Sequence, residues 1–124
     1  MKIALMLAVV AILACSAQAT ITYVSKDGTG NFTTIQAALT AATAGDTIVV
    51  RGDQGIWSEN PTINTRVVLL GQGSGCNGVP ATQINGLVTV NSGGANSTIA
   101  GFHIITSLST ITINANTPGV IIRR

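Results

Sequence analysis

Four carboxylate side chains are the groups in this sequence best suited to chemistry: Asp27, Asp46, Asp53 and Glu59. Such oxygen donors bind hard cations like Ca²⁺, and a positioned pair can act as general acid and general base. Asp27 lies in a glycine-rich turn and Asp46 in a turn before a strand, where Asp is favoured because it hydrogen-bonds the local backbone. We therefore predict structural roles for Asp27 and Asp46.

Asp53 and Glu59 flank the segment "QGIW", which leaves the first strand group. Turn chemistry favours structural roles here too, but both carboxylates could also face solvent. Trp57, with Tyr23, could form a surface for sugar stacking, although a large ring also buries useful area in a small core. Asp53, Trp57 and Glu59 are kept as candidate substrate-binding residues. We assign no catalytic residue, metal ligand or cofactor.

Two further segments, one around His103 and one at residues 73–78, have part of the pattern of a functional site. If Phe102 and Ile104 point inward, strand alternation turns His103 outward, and a catalytic triad cannot be inferred from one member. The segment "GSGCNG", residues 73–78, has Gly-x-Gly-x-x-Gly spacing, but Pro80 and β-branched residues stand where a helix should begin. Without a helix N-terminus there is no amide cluster for a pyrophosphate. We predict a surface histidine and a loop.

Residues 1–19 predict an export signal. Lys2 precedes an apolar run over residues 3–14, and Ala17-Gln18-Ala19 fits the small-residue rule for cleavage. The run is too short to span a bilayer of about 30 Å as a helix. We expect cleavage after Ala19 and a secreted or cell-surface protein. Cys15, directly behind the apolar run, leaves a lipid anchor as the alternative.

Residues 20–124 have room for one domain. They carry five Lys or Arg against four acids, a net charge of +1, so we predict no nucleic-acid partner. Cys76 is the one cysteine in this range, which excludes an internal disulfide framework and a Cys-based zinc site.

Beyond Gly45 the apolar residues fall into short β-branched groups separated by Gly, Asn, Ser and Thr, a pattern typical of strands and turns. The groups are TIVV (47–50), RVVLLG (66–71), GLVTV (86–90), STIAGFHI (97–104), STITIN (109–114) and GVIIRR (119–124). Val49 precedes Leu69 by 20 residues, and Leu69 precedes Val90 by 21. A recurrence near this length predicts a repeat architecture.

The predicted fold class is all-β, a right-handed parallel β-helix with a short N-terminal capping α-helix. Leucine-rich repeats are disfavoured because their regular Leu positions are absent, whereas coils of strands and polar turns stack about 4.8 Å apart around a narrow apolar core. An antiparallel sandwich is the alternative, since frequent turns between short strands also suggest one.

The capping helix is predicted near residues 33–42. One apolar stripe is formed by Ile35, Ala38, Leu39 and Ala42. Thr33 and Gln36 have capping-box spacing, and Gly45 can close the C-terminal end. Because the first coil of a solenoid needs a unit that covers its open core, we interpret this helix as a plug.

The segment "KDGTGNFTTIQAALTAATAGDTIVVRGDQGIWSEN", followed by "VVLLGQG", resembles the N-terminal portion of pectin methylesterases and related right-handed parallel β-helix proteins of the pectin lyase-like superfamily. The resemblance covers residues 23–73. The matching positions are Asp27, Gly28, Gly30, Phe32, Thr33, Thr34, Ile35, Gln36, Ala38, Gly45, Asp46, Ile48, Val50, Trp57, Glu59, Asn60 and Gly71. It implies that residues 20–124 hold the N-terminal cap and about four coils.

The resemblance implies a function on extracellular polysaccharide. The chain is expected to bind a pectin-like polysaccharide or, as part of a longer chain, to process it as a pectinesterase- or lyase-like enzyme. That family's catalytic residues come from later coils, so none is carried over to this chain. The alternative is a non-catalytic, adhesin-like repeat protein. Because "GVIIRR" is followed by no capping segment, we also predict a longer β-helix and self-association through the last coil.

Overall fold

The computed structural model describes residues 18–72, 80–105 and 111–123. They form a parallel β-solenoid of about four turns with one short α-helix, which confirms the predicted fold class. Every strand pair among the described residues is parallel, so the antiparallel sandwich is excluded. Residues 1–17 of the predicted leader with Cys15, residues 73–79 with Cys76, residues 106–110, and Arg124 lie outside the described residues.

Ten strands and the helix follow one another along the described chain. They are β1 (Ile21–Val24), α1 (Ile35–Ala41), β2 (Thr47–Val50), β3 (Thr62–Ile63), β4 (Val68–Gly71), β5 (Thr82–Ile84), β6 (Val88–Val90), β7 (Thr98–Ala100), β8 (Phe102–Ile104), β9 (Ile111–Ile113) and β10 (Ile121–Arg123). A 3₁₀ turn, Ser92–Gly94, lies between β6 and β7. Sheet 1 has the order β1-β2-β4-β7-β10, sheet 2 the order β3-β6-β9, and sheet 3 pairs β5 with β8.

The core is a column of stacked β-branched and aliphatic side chains. Ile48, Leu69 and Ile99 are buried and in register on β2, β4 and β7. Side chains alternate between the two faces of a strand, so every second residue of these short groups enters the core. The same row continues to Ile122 on β10, which is exposed.

The true register differs from the predicted recurrence. Val49 pairs with Leu70 and faces outward, Leu69 stacks on Ile48, and Val90 belongs to sheet 2. The predicted spacings therefore join positions that do not stack, and the step from Leu69 to Val90 covers only part of a coil. Along the row Thr22, Ile48, Leu69, Ile99 and Ile122 the separations are 26, 21, 30 and 23 residues.

The N-cap of helix α1 lies one residue later than the predicted cap, Thr33. The N-cap is Thr34, whose hydroxyl accepts a hydrogen bond from Ala37 N at 3.2 Å. The predicted capping box of Thr33 and Gln36 is therefore wrong. Ala42 is the C-cap, and Gly45, with φ of +99°, lies in the following turn rather than ending the helix.

Helix α1 covers the first end of the solenoid core. Ile35, Ala38 and Leu39 are buried in the same cluster as the strand residues. The side-chain oxygen of Gln36 accepts a hydrogen bond from Thr62 N at 2.8 Å, on the edge strand of sheet 2. An edge strand presents unpaired backbone N–H and C=O groups, and Gln36 pairs one of them, the Thr62 N–H, in place of a neighbouring strand. In the ranges described, no helix is long and apolar enough to cross a membrane.

Candidate functional site

Trp57 is part of the core. Its side chain is 0% exposed, and its indole Nε1 donates a hydrogen bond to the carbonyl oxygen of Arg51 at 3.0 Å. Lys26 Nζ lies over the ring, 4.7 Å from its centroid. This placement supports the packing alternative for Trp57 and gives no support to sugar stacking with Tyr23, whose side chain is exposed.

Glu59 lies at the N-terminus of α1. Its Oε1 accepts a hydrogen bond from Ile35 N and its Oε2 one from Gln36 N, both at 3.1 Å. The first turn of a helix has free N–H groups and a partial positive charge, so a carboxylate there is favourable. Both oxygens of this candidate substrate-binding residue are thus engaged in holding the cap on the solenoid.

Asp46 fastens the turn between α1 and β2 to the start of β1. Its Oδ1 accepts a hydrogen bond from Thr20 N at 2.8 Å. Its Oδ2 accepts from the backbone N of Thr43 at 2.8 Å and from the Thr43 hydroxyl at 3.0 Å. These donors, Thr20 first, lower the pKa of Asp46. This arrangement agrees with the predicted structural role.

Asp53 belongs to a partly exposed group that we call the Arg51 cluster: Asp27, Thr29, Arg51, Asp53 and Gln54. The Arg51 guanidinium binds Asp53 through two bonds, Nε to Oδ1 at 3.0 Å and Nη2 to Oδ2. Its Nη1 donates to the Thr29 hydroxyl at 3.0 Å and lies 3.9 Å from Asp27 Oδ2. One arginine therefore joins two carboxylates.

The solenoid brings the cluster together because β1 and β2 are neighbours. Asp27 comes three residues after β1 ends, and Arg51 follows β2 directly. Both residues therefore lie where the C-terminal ends of these parallel strands meet. Gly28, with φ of +79°, makes the turn that follows Asp27, a conformation that costs glycine little. Gln54 Nε2 then bridges the carboxylates, donating to Asp53 Oδ1 at 3.3 Å and to Asp27 Oδ2 at 3.4 Å.

Both acids of the cluster are held in the ionised form. Donation from the Ser25 hydroxyl, followed by the hydroxyl and backbone N of Thr29, holds the pKa of Asp27 well below its usual range. The hydrogen bond from Arg51 is the largest cause that lowers the pKa of Asp53. A carboxylate with a depressed pKa is a poor general acid or base near neutral pH.

All four carboxylates of the chain accept hydrogen bonds within the fold. Within residues 18–72, 80–105 and 111–123, no group of three His, Cys, Asp or Glu is arranged to hold a metal ion. The side chains of Arg51, Asp27 and Asp53 are 34%, 45% and 39% exposed. The cluster can therefore exchange hydrogen bonds with a polar ligand.

His103 is exposed on β8, between the half-buried Phe102 and Ile104, as the alternation predicts. It stands in register with Gln83 of β5.

A second polar surface, absent from the sequence predictions, follows sheet 2. Asn91 Nδ2 donates to Asn64 Oδ1 at 2.7 Å, and Asn114 Nδ2 donates to Asn91 Oδ1, which forms an asparagine ladder across three coils. A row of Thr62, Thr89 and Thr112 stands beside it in register. The sequence signal is Thr-x-Asn, at residues 62–64, 89–91 and 112–114.

Comparison with protein-family models, with curated proteins and with solved structures finds no match for this chain.

Proposed function

We propose that this chain is a secreted, pectin lyase-like β-helix segment that binds an extracellular, pectin-like polysaccharide through the Arg51 cluster. The observation that carries the proposal is a partly exposed set of guanidinium, carboxylate and amide groups in fixed geometry. The sequence resemblance at residues 23–73 suggests the class of ligand. Secretion follows from the predicted cleavage after Ala19.

Binding fits the cluster better than catalysis. Arg51 has five N–H donors, of which three make the described bonds to Asp53 and Thr29, so two are left for a ligand oxygen. Both acids accept from neighbours and have lowered pKa values, so neither is a ready base. Processing of the polysaccharide would need residues outside this chain.

The charges favour hydroxyl recognition over simple ion pairing. Arg51 and the neighbouring Lys26 carry two positive charges, and Asp27 and Asp53 carry two negative charges. The sum is zero, so affinity should come from hydrogen bonds with sugar hydroxyls and depend only modestly on salt.

Calorimetric titration with de-esterified and methyl-esterified pectin fragments tests the proposal. Arg51→Ala should weaken binding by about tenfold or more, since arginines at recognition sites often dominate affinity. Arg66→Ala is the matched control, because Arg66 is exposed and lies outside the cluster. Circular dichroism checks that both variants keep the fold. Equal affinities for the two variants and the parent chain would contradict the proposal.

A non-catalytic display or spacer role is the second candidate, and the regular Thr and Asn rows of sheet 2 favour it. Identical polar side chains on successive coils suit a uniform surface better than a pocket. A folded parent chain that binds none of the pectin fragments would favour this role.

A further inference from the structure

Asp46 is a buried carboxylate without a cationic partner among the described residues. The residue is 7% exposed, and its carboxylate accepts hydrogen bonds from Thr20 and Thr43. Both ion pairs found in the part of the chain that the structure describes involve Arg51. Buried charges in proteins are usually paired with an opposite charge. Asp46 is therefore placed to receive one.

One donor to Asp46 is the nitrogen of the bond predicted to be cut. Thr20 N lies 2.8 Å from Asp46 Oδ1, and the predicted cleavage site is the Ala19–Thr20 peptide bond. When a signal peptidase hydrolyses this bond, the water oxygen joins the Ala19 carbonyl carbon as a carboxylate. The two water protons end on the Thr20 nitrogen. The new α-amine, with an ordinary pKa of about 7.7–8.0, is mostly an ammonium at neutral pH.

We infer that cleavage after Ala19 creates an ammonium on Thr20 that pairs with Asp46, so that the buried carboxylate is the receptor for the chain's own mature N-terminus. This inference rests on the proposed secretion. The precursor offers Asp46 a neutral peptide N–H, and the mature chain offers it a full positive charge at the same atom. Charge-assisted hydrogen bonds are roughly twice as strong as neutral ones.

The Thr20 hydroxyl donates a hydrogen bond to the carbonyl oxygen of Gln18 at 3.4 Å, an exposed contact that cleavage removes. Two shorter contacts hold Thr20 without the residues before it. The Thr20 carbonyl oxygen accepts a hydrogen bond from Thr47 N at 2.8 Å, and the next residue, Ile21, is in register with Thr47. Asp46 directly precedes Thr47, so these two shorter contacts of Thr20 are made with consecutive residues. Removal of Ala19 leaves them in place.

Among the described residues, Arg66 is the one charged residue that lines the groove beside Ala19. The other lining side chains include Ala44 and Asn96, which are neutral. Gly45 N donates to the carbonyl oxygen of Arg66 at 2.8 Å, which fixes the Arg66 backbone next to this turn, and its side chain is exposed. Its like charge opposes the new ammonium, but solvent screens an exposed charge. The carboxylate contact at 2.8 Å should dominate.

The pair has a defined dependence on pH. A nearby carboxylate raises the pKa of the amine, so the stability that the amine contributes is present below its ordinary pKa and is lost as pH rises through the raised value. The pKa of Asp46 is already lowered, so its contribution is lost as pH falls through that value. The loss of stability as pH rises is expected only for the mature chain, because the precursor has a peptide N–H at Thr20 and not an amine.

The test is an NMR titration of the Thr20 α-amine in the exported chain, with its first residue verified by N-terminal sequencing. We expect an amine pKa about one unit above the ordinary range. In Asp46→Asn, which keeps an oxygen acceptor but no charge, the amine should titrate in the ordinary range. The same amine pKa in the two proteins would overturn the inference.

A second variant keeps the test informative if Asp46→Asn does not fold. One glycine inserted between Ala19 and Thr20 leaves Ala17 and Ala19 in their cleavage positions but moves the amine one residue from Asp46. It should lose both the raised amine pKa and the alkaline fall in thermal stability. Retention of both would count against the pair.

Sequencing separates this inference from the proposed secretion. A chain that begins at Thr20 with an ordinary amine pKa overturns the inference and leaves secretion standing. An intact Met1 overturns both. A lipid-modified Cys15 at the start overturns the inference and replaces free secretion with the lipid anchor.

Discussion

The first end of the solenoid and the face of sheet 2 are stabilised in different ways. At the first end unlike residues from distant parts of the chain meet once: Glu59 binds the N-terminus of α1, and Trp57 fills the core. On sheet 2 the same residue types recur on three coils and hydrogen-bond to their own copies. The first region depends on single contacts and the second on repetition, so single substitutions should cost more at the first end.

The largest effect is expected from Trp57→Ala. Removal of a fully buried ring leaves a cavity, and such changes lower the free energy of unfolding by about 3–5 kcal/mol. Ile56→Ala, at the adjacent exposed position, should change it by less than about 0.5 kcal/mol. Urea unfolding followed by circular dichroism measures both. Similar losses for the two variants would show that the first end does not depend on this contact.

A smaller effect is expected from Glu59→Gln. The amide keeps one acceptor oxygen but loses the second acceptor and the charge at the N-terminus of α1, at a cost of about 1–2 kcal/mol in the free energy of unfolding. Asp53→Asn is the control, since it removes a charge from the same loop whose partner is partly exposed, and such pairs contribute little. Amide hydrogen exchange should show faster exchange at Ile35 and Gln36 in the Glu59 variant alone. Unchanged exchange there would argue against the capping role.

The smallest effect is expected from Asn91→Ala, in the middle of the ladder. It removes two side-chain hydrogen bonds that are partly solvated, so the loss should be about 1 kcal/mol. Asn114→Ala removes one of these bonds and should cost about half as much. Chemical denaturation can compare the two variants. A loss for Asn91→Ala as large as that for Trp57→Ala would remove the contrast between the two regions.

The architecture was predictable because it depends on composition and spacing. Short β-branched groups between polar turns predict stacked coils, and the stripe that includes Ile35 and Leu39 predicts a buried helix face. The register was not predictable in this way. Val49 and Leu69 are both apolar, yet one faces outward and the other inward, because the outward face of sheet 1 also carries apolar residues.

The candidate site was less accessible to sequence reasoning. Asp53 was identified as a residue that could face solvent, but its partner Arg51 was missed, because a pair two residues apart in a loop has no periodic signal. Glu59 caps a helix that begins 24 residues earlier, and only the folded coil brings them together. The Thr-x-Asn recurrence was readable, and a search for short polar motifs at coil spacing would have found it.

The unequal coil lengths show that such a chain can change in length during evolution while its stacked core residues stay in register. The step from Leu69 to Ile99 is nine residues longer than the step from Ile48 to Leu69, yet both pairs stack in register. Three of the nine extra residues lie in the corner between sheet 2 and sheet 1, because the paired residues Ile63 and Val90 precede Leu69 and Ile99 by six and nine residues. Insertions and deletions at such corners can therefore accumulate without disturbing the column of apolar side chains. Lineages of this fold are free to lengthen one corner into a recognition loop while the rest of the coil is inherited unchanged.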